Sequence, residues 1–101
     1  MDVDVAKRMR DEVVLRVSGD LAGEGATSRL RAAAHAPAAR DVRVVLADLS
    51  AVRGIDLEGI GALIAVRREL QTQGQVFRVT RPQGQVRARL EQTGTLPYLS
   101  Q

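Results

Sequence analysis

The chain has 101 residues, 45% of them hydrophobic and 27% charged, and a formal net charge of +3. This length suits a single domain, residues 1–101, with one buried core, and the composition is too apolar for a disordered chain. There is no cysteine, which excludes disulfides, thiol catalysis and cysteine-ligated zinc, and at 2% aromatic content Val, Leu, Ile and Ala must fill the core.

No apolar run follows a basic start, and no stretch is apolar enough to span a bilayer. The expectation is a cytoplasmic domain with no membrane span.

The elements follow in chain order. Val3 and Val5 alternate with Asp2, Asp4 and Ala6, the pattern of a short edge strand. Asp11-Glu12 reads as a turn. Val13, Val14, Leu15 and Val17 form a second strand, the hairpin partner of the first, ending at Ser18-Gly19-Asp20. A glycine-rich loop follows. Thr27 or Ser28 is positioned to cap a helix through Leu30 to about Ala36, stopped by Pro37.

Val42, Val44, Val45, Leu46 and Leu49 have the density of a central strand buried on both faces. Ser50 to Leu57 reads as a loop carrying Gly54 and Asp56. From near Glu58 a helix places Ile60, Leu63, Ile64 and Leu70 at helical spacing, closed by Gly74. Val76, Phe77 and Val79 make the next strand. Pro82 to Thr93 is a third helix, and Leu96, Tyr98 and Leu99 form an apolar tail docked on the core. Phe77 and Tyr98 are expected to be buried.

The order β-β-α-β-α-β-α predicts an α/β domain. Its sheet is mixed, mostly parallel and of four to five strands, with helices mainly on one face.

Little here suggests catalysis. His35 lies in an alanine-rich helix, and Ser18, Ser28, Ser50 and Ser100 lack an activating motif. Gly19, Gly23 and Gly25 do not have phosphate-loop spacing, so no cofactor is expected. One histidine without cysteine predicts no transition-metal site. Lys7, Arg8, Arg10, Arg81, Arg87 and Arg89 are interspersed with acids and lack an aromatic platform, so no direct nucleic-acid contact is expected.

The sharpest feature is the entrance to the central helix. Asp56 is placed to accept from amides two or three residues on, and Asp56 and Glu58 both suit the positive end of the helix. Taken alone, that is a cap. Leu57 between two acids adds an apolar group at a surface loop. Gly59 and Gly61 each cost the helix about 1 kcal/mol relative to alanine. They make sense where another backbone comes close, as on a docking surface; local packing is the other explanation.

Leu49 to Leu63, LSAVRGIDLEGIGAL, resembles the signature of STAS domains, the family named for sulfate transporters and anti-sigma factor antagonists. Bacterial members typically read L-S-x-V-x-x-I-D-S-S-G-L-G-x-L. Leu49, Ser50, Val52, Ile55, Asp56, Gly59, Gly61 and Leu63 agree, and VVLRVSGDL resembles the family strand ending in G-E-L-D. The resemblance covers nearly the whole chain. It implies a STAS fold, no enzymatic activity, and regulation of a sigma factor by partner switching.

In such proteins the unmodified domain binds an anti-sigma factor, a serine kinase of the histidine-kinase ATPase type. Phosphorylation of the second serine of D-S-S-G ends the complex. The resemblance places partner binding at Asp56, Leu57, Glu58, Gly59, Ile60, Asp20 and Ala22. The two serines are Leu57 and Glu58 here, and the acidic residue after G-E-L is Ala22. Glu58 therefore occupies the phosphoacceptor position with a permanent charge and no hydroxyl. The expected partner is an anti-sigma factor or another regulatory protein. The alternative is an accessory STAS subunit of a lipid-transport ABC system or a scaffold in a signalling assembly.

Overall fold

The computed structural model describes residues 1–101. Strands β1 (Asp2–Met9), β2 (Glu12–Leu21), β3 (Val44–Ile55) and β4 (Val76–Thr80) form one four-stranded sheet in the order β1-β2-β3-β4. β1 runs antiparallel to β2, while β2, β3 and β4 are mutually parallel. The helices are α1 (Ala26–Ala34), α2 (Pro37–Arg40), α3 (Leu57–Thr72), α4 (Gly84–Gln92) and α5 (Leu96–Ser100). This is the expected α/β STAS architecture, with β1 and β2 as the hairpin and helical crossovers between the parallel strands.

The sheet sorts its residues by the period of two that strands impose. Val13, Leu15 and Val17 of β2, Val45, Ala47 and Leu49 of β3, and Phe77 and Val79 of β4 are buried. They join Leu30, Leu63, Val66, Leu70, Val86, Leu90 and Leu99 from the helices in one core of 23 residues. Each buried Leu or Val contributes on the order of 2 kcal/mol relative to an exposed one.

The opposite face is not covered. Val14, Val44, Leu46 and Thr80 are half-buried there, and Arg16 and Arg78 are exposed. The central strand is therefore not sandwiched between two layers, as its Val-rich run suggested. Asp48 is the one deeply buried residue on that face. Its carboxylate accepts from the Ser50 amide at 2.9 Å and lies 3.5 Å from Arg16 and 3.6 Å from Arg81. Arg81 adopts a left-handed backbone, φ 57°.

Several boundaries differ from expectation. β3 continues to Ile55, so the predicted loop Ser50 to Leu57 is mostly strand. Pairing with the end of β2 recruits it: Ser18 opposes Ala51, Gly19 opposes Val52, and Leu21 opposes Ile55. α1 starts at Ala26 behind Gly25, with no side-chain cap from Thr27 or Ser28. Pro37 does not simply end α1; it opens α2, where its fixed φ suits the first helical turn. The apolar tail is helix α5. Tyr98 is 38% exposed, contrary to expectation, because its ring face lies 4.5 Å from the Arg67 guanidinium instead of in the core.

Candidate docking site at the mouth of the central helix

The site begins with Asp56. It stands in extended conformation between β3 and α3, so its side chain reaches back over the first turn of the helix. Oδ1 accepts from the Gly59 amide at 2.8 Å, and Oδ2 accepts from the Gly23 amide at 3.1 Å. One carboxylate thus caps α3 and ties its entrance to the loop after β2. These bonds, led by that from Gly59, hold the Asp56 carboxyl below the usual carboxylate range against a smaller opposing effect of desolvation. The cap was legible in the sequence. Gly23 was missed, because nothing local links two residues 33 positions apart. The glycine-rich loop itself was the available signal, since it is where a left-handed backbone such as that of Gly23, φ 81°, is tolerated.

Gly59 is buried under the end of β2. A Cβ there would collide with the Leu21 carbonyl oxygen and lie 2.8 Å from the carbonyl carbon. The expected close backbone approach therefore exists, but it is made within the chain. Gly61 does not share the role: a Cβ on it would meet nothing within 4 Å. The expectation that both glycines admit a neighbouring backbone holds for Gly59 and is corrected for Gly61.

Ile60 is only 5% exposed and belongs to the core. Leu57 and Glu58 face outward, with Leu57 68% exposed, the most exposed of the large apolar side chains. Glu58 is in the first turn of α3, where the positive end of the helix favours its charge. Asp20 and Ala22 are exposed at the end of β2 and just after it. Asp20 is opposite Gly54 in the sheet, and a Cβ on Gly54 would stand 3.2 Å from Asp20 Oδ1. Of the seven residues expected to meet a partner, Asp20, Ala22, Leu57 and Glu58 present surface. Asp56, Gly59 and Ile60 hold that surface in place.

His35 is half-buried and bonded through Nε2 to Glu69 at 3.2 Å, and Arg31 Nε also reaches Glu69 at 2.9 Å. The Arg31 hydrogen bond, then that of His35, lowers the Glu69 carboxyl from its ordinary range. This cluster pins α1 to α3. No three His, Cys, Asp or Glu side chains converge as a metal site would require. No helix is long and apolar enough to cross a membrane.

The comparisons agree with this architecture. None of the curated proteins compared with the chain matches it. Among solved structures, the anti-sigma factor antagonist SpoIIAA in its unphosphorylated form superposes with a TM-score of 0.73 at 22% identity, over 95% of this chain and 84% of that one. The Bacillus cell fate determinant SpoIIAA in its phosphorylated form gives 0.68 at 21% identity, over 98% and 88%. A sulfate transporter family protein from Wolinella succinogenes gives 0.75 at 16% identity, over 93% and 75%. At these identities the likeness is one of fold. The family model for the STAS domain matches residues 2–100, and the chain belongs to the STAS domain family.

Proposed function

We propose that the chain is a non-enzymatic STAS regulator of the anti-sigma factor antagonist type, in which Glu58 replaces the switchable serine. The observation that carries this reading is the exposed pair Leu57–Glu58 on a helix entrance held rigid by Asp56. The apolar Leu57 supplies contact area, and Glu58 supplies charge where a partner would approach. A carboxylate carries about −1, against roughly −1.5 to −2 for phosphoserine, and is not a phosphoacceptor for a serine kinase. The domain is thus fixed in a state resembling the modified one. It binds a kinase-type anti-sigma factor weakly or without regard to ATP. Similarity to SpoIIAA in both its forms supports this reading.

The test is calorimetry of the wild type and Glu58→Ser against the anti-sigma factors of the same genome, with and without ATP. Tighter binding by Glu58→Ser, lost again on phosphorylation, is the expected result. If no anti-sigma factor binds or phosphorylates Glu58→Ser, the reading fails.

The second reading is an accessory STAS subunit of a lipid-transport ABC system or a signalling scaffold, with Glu58 as a constitutive contact. The fold shared with a sulfate transporter family protein favours considering it. Co-purification separates the two: a transporter ATPase supports the second reading, and sigma regulators support the first.

A further inference from the structure

β1 is one edge of the sheet, and every one of its residues except Val3 is exposed. Val5 is 49% and Met9 51% exposed, two of the four exposed large apolar residues in the chain. An edge of this kind offers unpaired backbone groups as well as apolar surface. Its charges are sorted by sign along the strand, with Asp2 and Asp4 in the first half and Lys7 and Arg8 in the second.

We propose that β1 is a self-association edge that takes a second copy of this chain, antiparallel, about a twofold axis between Val5 and Ala6. In that register Asp4 of each copy faces Lys7 of the other, Val3 faces Arg8, and Asp2 faces Met9. Two identical charge pairs form, and Val5 of both copies is covered at the centre. A twofold contact of this type is isologous and closes on itself.

In a regular strand, Asp4 and Lys7 would point to opposite faces, and this register would fail. The irregularity between Val5 and Lys7 removes that mismatch. Asp4 opposes Arg16 and Lys7 opposes Val14, and Arg16 and Val14 share the open face. Val3 opposes Val17 and Arg8 opposes Val13, both on the core face. A bulge and a lysine usually discourage edge pairing. Here the bulge brings opposite charges into register, and parallel in-register pairing is rejected because it stacks aspartate on aspartate and lysine on lysine.

The experiment is sedimentation equilibrium on the full chain at low and high salt. The wild type is expected to show a reversible monomer–dimer equilibrium that weakens as salt rises. Asp4→Lys and Lys7→Asp should each weaken it about tenfold, while their equimolar mixture and the double swap restore it. Both positions are exposed, and circular dichroism verifies that each variant is folded. A wild type that stays monomeric at concentrations on the order of millimolar overturns the proposal, as does dimerisation that survives both single swaps. Asp20, Ala22, Leu57 and Glu58 lie outside β1, so this outcome is independent of the proposed partner site.

Discussion

Gly59 sits directly beneath the carbonyl of Leu21, leaving no room for a Cβ between the first turn of α3 and the last residue of β2. Gly59→Ala should therefore force the helix off the strand and take the Asp56 cap with it. The expected loss is at least about 3 kcal/mol, read as a drop in the urea midpoint. A variant as stable as the wild type would show that the two elements separate without cost.

Gly61 is the control, two residues on and just over half a turn around the same helix. It is exposed, helical and faces open space, so alanine there removes only the entropic penalty of glycine. Gly61→Ala should gain about 1 kcal/mol in the same measurement. Opposite signs at two glycines of one motif are the discriminating result.

Acid should weaken the fold through three carboxylates. Asp56, Asp48 and Glu69 all have folded values below their ordinary ones. For Asp56 the Gly59 amide leads and for Glu69 the Arg31 hydrogen bond leads. For Asp48, burial pushes upward but is outweighed by Ser50, Arg81 and Arg16. A depressed folded value means that the folded state binds the proton more weakly than the unfolded chain. The stabilisation is complete above the unfolded values, about 4, and is lost as pH falls through the folded ones. Asp56→Asn lacks the second acceptor oxygen and should be less stable at neutral pH. Its deficit should shrink as denaturation is repeated from pH 7 down to about 3. A deficit independent of pH would contradict the assignment.

Arg67 secures the C-terminus. Its Nη1 donates to the Phe77 carbonyl at 3.0 Å and the Gln101 carbonyl at 3.2 Å, and its guanidinium lies against Tyr98. Its Nε is buried without a partner, which lowers the net benefit of the arrangement. Arg67→Met keeps the stem but leaves two carbonyls without this donor. It should cost about 2–3 kcal/mol and raise amide exchange in α5 ahead of the rest of the chain.

Leu57→Ala should separate docking from folding. The side chain is largely outside the core, so stability should move by no more than about 0.5 kcal/mol. Affinity for a partner identified by co-purification should fall about tenfold or more in calorimetry, as for an exposed apolar anchor.

Much of the fold was legible locally. Alternation marked β1, a run of Val and Leu marked β2, helical spacing marked α3, and Gly74 and Pro82 separated β4 from its neighbours. The second half of β3 was not legible. Ser50 to Ile55 contains Arg53 and Gly54 and resembles a loop until β2 is beside it. At the candidate site, Asp56 was recognisable as a cap, while its second donor, Gly23, was not.

The amino-acid sequence by itself determined the order of elements, the apolar faces, the cap at Asp56 and the acid at position 58. These follow from short-range periodicity and from residue chemistry, both written in neighbouring positions. Only the tertiary structure decided that Gly59 has no room for a Cβ while Gly61 has, that Ile60 turns inward while Leu57 and Glu58 turn out, and that one sheet face stays open. Those distinctions depend on which distant backbone lies against each residue, and a helix or strand pattern is the same whether that neighbour is a carbonyl oxygen or water.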